Sequence, residues 1–162
     1  MKFITKIYLA IGFFLFTYAG FAQDPFEFKI EIPPLQENFT IPINANYNYN
    51  YTVDWGDGST TSNLTSHAHH SYNSGNPFSF RKYTIKISGD FPAINFHSNL
   101  SSPNNDQMVI ELISWGDIEW QSFKEAFRGC QNMVIANNAG VPNLSNVSDL
   151  SDMFHACEKI NS

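Results

Sequence analysis

The chain has 162 residues, of which 43% are hydrophobic, 15% aromatic and 15% charged, with a formal net charge of −6 at pH 7. That length and apolar content suit one or two small domains with a real core, and the lack of any Lys/Arg-rich block excludes a nucleic-acid footprint. A balance rich in Asn, Ser, Thr, Tyr and Phe fits an extracellular β-rich module better than a helical cytosolic enzyme.

Residues 1–22 read as a signal peptide. Lys2 and Lys6 form a positive start, Ile7 to Tyr18 an apolar run, and Gly20 and Ala22 a small-residue cleavage site before Gln23. The apolar run is short for a membrane anchor, the competing reading. No Cys follows it, so it is not a lipoprotein signal. Cleavage would remove two lysines and no acid, taking the charge from −6 to −8. The expected product is secreted or held at a cell surface, with no membrane span after cleavage.

Phe26, Phe28, Ile30 and Ile32 alternate with Glu27, Lys29 and Glu31, which predicts a strand stopped by Pro33-Pro34. Phe39 to Ile43 is a second short strand, with Pro42 favouring an edge. Tyr51-Thr52-Val53-Asp54-Trp55 is a third, ending abruptly at Gly56-Asp57-Gly58. Asp and Gly there can take the left-handed and tight-turn conformations a hairpin needs. Ser59 to Ser62 is β-capable, His67 to Tyr72 follows, and Asn73 to Pro77 is a loop. Tyr83 to Gly89 is the clearest strand, and Phe91 to Phe96 a further short one. Residues 97–107 read as a linker and domain boundary, across which strand pairing can still run.

Beyond it the rhythm changes. Met108 to Trp115 is an apolar strand. Ser122 to Arg128 predicts a short helix with Phe123, Ala126 and Phe127 on one face, ended by Gly129. The segment from Phe123 to Met133 then recurs from Leu150 to Ile160 at an offset of 27 residues. Ala126 matches Met153, Phe127 matches Phe154, and Cys130 matches Cys157. A period of this length, with a strand and a short helix per unit, is the pattern of a leucine-rich-repeat-like solenoid. Such units bury their apolar faces only by stacking. With two units visible, the expectation is a fragment of a longer protein.

Two resemblances follow. Residues 37–96 resemble a PKD-type domain, an immunoglobulin-like β-sandwich. The carrying residues are Asp54, Trp55, Gly56, Asp57 and Gly58, then His70 and Tyr72, then Tyr83 to Gly89. The loop before the last strand is expanded to residues 73–82, so the copy is divergent. Residues 108–162 are similar to the BspA-type leucine-rich repeats of bacterial surface proteins, through Ala126 to Cys130, Pro142 to Asp149 and Met153 to Cys157. The expected fold is therefore mainly β, an immunoglobulin-like sandwich followed by a short α/β leucine-rich-repeat-like solenoid start. Its divisions are a signal peptide at 1–22, the sandwich with lead-in and linker at 23–107, and the truncated repeat segment at 108–162.

Four groups could carry chemistry. Asp54 and Asp57 lie on one tight turn with no cleft between them, unlike a glycosidase pair, and lack a calcium-loop pattern. Their expected role is to accept backbone N–H bonds within the turn. His67, His69 and His70 are poorly placed for zinc, because neighbouring strand residues point to opposite faces. Cys130 and Cys157 lack a fixed base; they read as small buried stack residues, with a disulfide as the alternative, since stacked equivalents lie near bonding range. Trp115, Trp120 and the Tyr47, Tyr49, Tyr51 series read as packing, with a surface sugar-binding ladder as the minority reading. No catalytic, cofactor-binding or metal residues are expected. The resemblances imply a non-catalytic binding or adhesion protein, a sandwich spacer presenting a solenoid to a protein or glycan. The alternative is a carbohydrate-binding or spacer part of an extracellular enzyme whose catalytic domain lies elsewhere.

Overall fold

The computed structural model describes residues 23–73, 75–97 and 104–161. The expected signal peptide lies outside them. The fold is mainly β. Among the described residues eight strands form: β1 (Phe26–Ile32), β2 (Asn38–Ile41), β3 (Asn50–Asp54), β4 (Thr60–Leu64), β5 (Ala68–Ser71), β6 (Arg81–Asp90), β7 (Val109–Ser114) and β8 (Val134–Ile135). Six make one mixed sheet in the order β4-β3-β6-β1-β7-β8, and β2 and β5 make a second. The two sheets pack face to face, as in a β-sandwich; Phe28 of β1 meets Phe39 of β2 with ring centroids 6.3 Å apart.

β1 sits inside the large sheet and explains how the halves join. Its four apolar residues are fully buried. Its other face carries charges that match both neighbours. Glu27 lies opposite Lys86 and bonds it at 3.0 Å, Glu31 lies opposite Lys82 at 3.2 Å, and Lys29 pairs with Glu111 of β7. Each such pair is worth only about 0.2–1 kcal/mol, but together they disfavour a one-residue slip, which would bury every charge. Strand pairing thus runs across residues 97–107. The core is continuous too: Phe26 contacts Phe91 on one side of that segment and Trp115, Trp120 and Phe127 on the other.

Two expectations change. Phe91 to Phe96 forms no strand, only a bridge between Ile94 and Ile43. Residues 122–128 form no α-helix. They run as successive tight turns, in which Ala126, Arg128 and Cys130 donate to Phe123, Glu125 and Phe127 three residues back. Glu125 and Gly129 take positive φ, 53° and 85°, which breaks helical continuity. Phe123, Ala126 and Phe127 are nevertheless all buried. The apolar spacing is the same for a helix and for this coil; the backbone path is not. Among the described residues the one α-helix is a single turn, Asn105–Met108, and no helix is long and apolar enough to cross a membrane.

Candidate functional site

The hairpin corner assembles all of its sequence-predicted residues. Trp55 N–H donates to Ser59 O at 3.1 Å, closing the turn. Asp54 Oδ1 accepts from Gly56 N–H at 2.9 Å, and Asp57 Oδ1 from Ser59 N–H at 3.0 Å. Gly56 has φ 77° and passes so close to Thr84 that a Cβ would sit 2.9 Å from its nitrogen. His70 Nε2 hydrogen-bonds Asp57 Oδ2 at 2.8 Å, and its ring stacks on Trp55 at 4.7 Å. Tyr72, fully buried, donates its hydroxyl to Trp55 O at 2.9 Å and stacks on Tyr83 at 4.1 Å.

The corner's electrostatics match a structural role. Partial burial opposes ionisation of Asp57, yet hydrogen bonds from Ser59 and His70 outweigh it and hold the carboxyl at about 2. Burial, followed by the nearby Asp57, Tyr83 and Asp54, pushes the Tyr72 phenol far up. A carboxylate this acidic is a poor general base near neutrality, and that phenol is a poor proton source. Asp54 Oδ1, both Asp57 oxygens, His70 Nε2 and the Tyr72 hydroxyl are each hydrogen-bonded within the corner.

The other candidates disperse. His69 Nδ1 bonds Thr40 Oγ1 at 2.8 Å, and His67 Nδ1 accepts from Ile43 N–H at 3.2 Å. Burial, then the neighbouring His69, lowers the His67 pKa. The three histidines therefore serve three different partners, and no group of three or more His, Cys, Asp or Glu side chains among the described residues could hold a metal. Tyr49, Tyr51, Trp115 and Trp120 are buried and Tyr47 is partly buried against the core, so the expected surface sugar-binding ladder is not formed. The Tyr49 hydroxyl instead lies 2.9 Å from both Asn44 O and Ala93 O, with one proton to share between them. A depression of about 380 Å³ is lined in part by Gln23, Asn48, Asp90, Asp117 and Glu119; Asp117 already accepts from Asp24 N–H at 3.1 Å.

The recurrence seen in sequence has a counterpart in backbone. Residues 149–157 repeat the turns of 122–130. Met153, His155 and Cys157 donate to Leu150, Asp152 and Phe154, and Asp152 and Ala156 take positive φ as Glu125 and Gly129 do. The two coils stack through a main-chain ladder, at whose start Ser148 N–H donates to Gln121 O at 3.0 Å. Phe123, Glu125, Phe127 and Gly129 donate N–H bonds to Asp149, Ser151, Met153 and His155, all at 2.9 Å. Phe127 stacks on Phe154 at 5.7 Å, and Arg128 bonds Asp152 at 3.0 Å. Cys130 and Cys157 are free, buried thiols; Cys157 Sγ donates to Phe127 O at 3.0 Å. Burial, then the neighbouring Cys157, pushes the Cys130 thiol well up, and burial also raises Cys157.

Beside the coils, β8 pairs parallel to β7 at the sheet edge. Val134 lies opposite Glu111 and is 40% exposed. This ladder was not readable from residue types, because its donors and acceptors are main-chain atoms. The doubled spacing was its only trace. In comparisons with known proteins, the chain matches no family model, no curated protein and no solved structure.

Proposed function

We propose that the chain is a non-catalytic binding or adhesion protein of a bacterial surface, exported through residues 1–22. A PKD-type sandwich acts as spacer and carries BspA-type repeats, whose sheet face meets a protein or glycan partner. The PKD-type reading is supported by the corner, where Asp57, His70, Tyr72 and Trp55 lock one hairpin. The single observation that carries the binding role is the doubled coil. Two segments 27 residues apart share turn geometry, positive-φ positions and stacking, which is how a repeat surface is built. Apolar side chains on that part, Val134, Val141, Leu144 and Leu150, stand open to solvent, as recognition surfaces often do.

The test incubates the chain from Gln23 with a glycan array and a panel of purified extracellular glycoproteins, followed by product analysis. Saturable binding with the bound molecule unaltered is expected. Turnover of any array glycan, or no binding to either set, would overturn the proposal.

A further inference from the structure

The loop expanded over residues 73–82 carries two aromatic rings out into solvent. Phe78 is 75% exposed and Phe80 62%, and Leu35 beside them is exposed too. Apolar groups gathered in one place on a surface mark interaction sites. These are firmly held. Leu35 N–H donates to Pro77 O at 2.7 Å, and the Arg81 guanidinium donates to Gln36 O and, at 2.6 Å, to Tyr72 O. The two loops are thus tied to each other and to the buried Tyr72.

Phe80 lines a groove of about 170 Å³ where the sandwich meets the segment that follows it. Glu31 at the end of β1, Gln36, Asn104, Gln107 and Asn132 line it as well. Asn132 Nδ2 donates to Gln107 O at 2.9 Å, which ties the coil after Cys130 to the helical turn Asn105–Met108. Among the described residues, the side-chain carboxamides of Gln36, Asn104 and Gln107 have no hydrogen-bond partner. Each offers two donors and an acceptor. Glu31 gives Oε1 to Lys82 at 3.2 Å, and its Oε2 accepts from no described residue.

This lining selects a ligand class. One carboxylate is too few for a bound metal ion. No Lys or Arg lines the groove, so a phosphate or an acidic sugar would find no cation there and would meet Glu31. A lipid chain would leave the carboxamides unsatisfied against hydrocarbon. A neutral sugar ring matches on both counts. Its hydroxyls donate and accept, as carboxamides do, and its C–H face packs on an aromatic ring. The volume is that of about six waters at ~30 Å³ each, which is room for one pyranose and not for a peptide.

We infer that this groove binds one neutral pyranose residue of a glycan, stacked on Phe80 and hydrogen-bonded by Gln36, Asn104, Gln107 and Glu31. The site lies apart from the sheet face proposed above for the partner, and it does not depend on the repeat reading.

The experiment titrates the isotope-labelled chain from Gln23 with the methyl glycosides of glucose, galactose, mannose and N-acetylglucosamine, and with that of glucuronic acid as the acidic control. Side-chain amide signals are followed by NMR. Those of Gln36, Asn104 and Gln107 should shift saturably with at least one neutral glycoside, with a dissociation constant on the order of millimolar for a single ring. Phe80→Ala should weaken that binding at least about 10-fold, and Phe78→Ala, as exposed but outside the groove, less than about 2-fold. Both positions are open to solvent, so both variants should fold. No shift of these signals with any neutral glycoside up to about 100 mM would overturn the inference. So would equal effects of the two substitutions, or tighter binding of the glucuronide than of every neutral ring. The signals belong to the groove alone, so its failure is read separately from that of the proposed sheet-face contact.

Discussion

Replacing Tyr72 by Phe removes one oxygen and leaves the ring stacked on Tyr83 and edge-on to His70. The hydroxyl is the donor to Trp55 O at 2.9 Å, and both residues are fully buried. Without it, a buried carbonyl loses its partner, which costs about 1–3 kcal/mol. For a chain of this length, that is a fall in Tm of roughly 2–12 °C. Tyr83→Phe is the matched control: Tyr83 has no hydrogen-bonded hydroxyl among the described residues, and its change should stay within about 0.5 kcal/mol. Urea denaturation followed by tryptophan fluorescence reads both, since Trp55 lies at the corner itself. A Tyr72→Phe loss no larger than that of Tyr83→Phe would refute the claim that this bond holds the turn.

Three further outcomes are expected. Asp57 titrates near 2 in the folded state against 3.8 ordinarily, so its stabilising contribution is present above about pH 4 and is lost as pH falls through about 2. The shift sets a ceiling of about 2.4 kcal/mol, and solvent screening at this open turn reduces it to about 1 kcal/mol. Asp57→Asn should flatten that part of the stability-against-pH curve; an unchanged acid limb would count against the Asp57 bonds. Gly56→Ala drives a Cβ onto the Thr84 backbone at positive φ and should cost more than about 2 kcal/mol, whereas Gly58→Ala meets open space and should cost about 1 kcal/mol. Equal losses would show that close approach does not matter at Gly56. Raised, buried thiols at Cys130 and Cys157 should react with a disulfide reagent at pH 8 at least about 100-fold more slowly than in urea; equal rates would contradict their burial.

Much of the sandwich was legible because its signals are local. β1 is bounded by its own alternation and by Pro33-Pro34, and the corner by Asp and Gly types that tolerate few other conformations. That the lead-in strand becomes an inner strand, joined to β6 and β7, depends on partners about 50 to 90 residues away and is written in no local pattern. The charges Glu27, Lys29 and Glu31 hinted at it only in retrospect, once Lys82, Lys86 and Glu111 were known to lie opposite. The helix expected over residues 122–128 failed for a different reason. Apolar residues at i, i+3 and i+4 describe which side chains face inward, and a chain of tight turns satisfies them equally well. Glu125 and Asp152 at positive φ distinguish the two, yet neither residue type announces that conformation. The buried Tyr49 and Tyr51 make the same point about aromatic spacing, which sets a shared face without saying whether the core or solvent lies beyond it.

The central claim is that the Asp57–His70 corner builds the scaffold while recognition belongs to the repeat part. Binding of Asp57→Asn and Val134→Lys, measured side by side with the unaltered chain on the glycan array and glycoprotein panel, tests it most directly. Val134 is exposed on β8, so its change should spare the fold. Asp57→Asn should bind like the unaltered chain at neutral pH, and Val134→Lys should bind at least about 10-fold more weakly, the loss of roughly 1.4 kcal/mol. Binding lost with Asp57→Asn and retained with Val134→Lys would contradict the account.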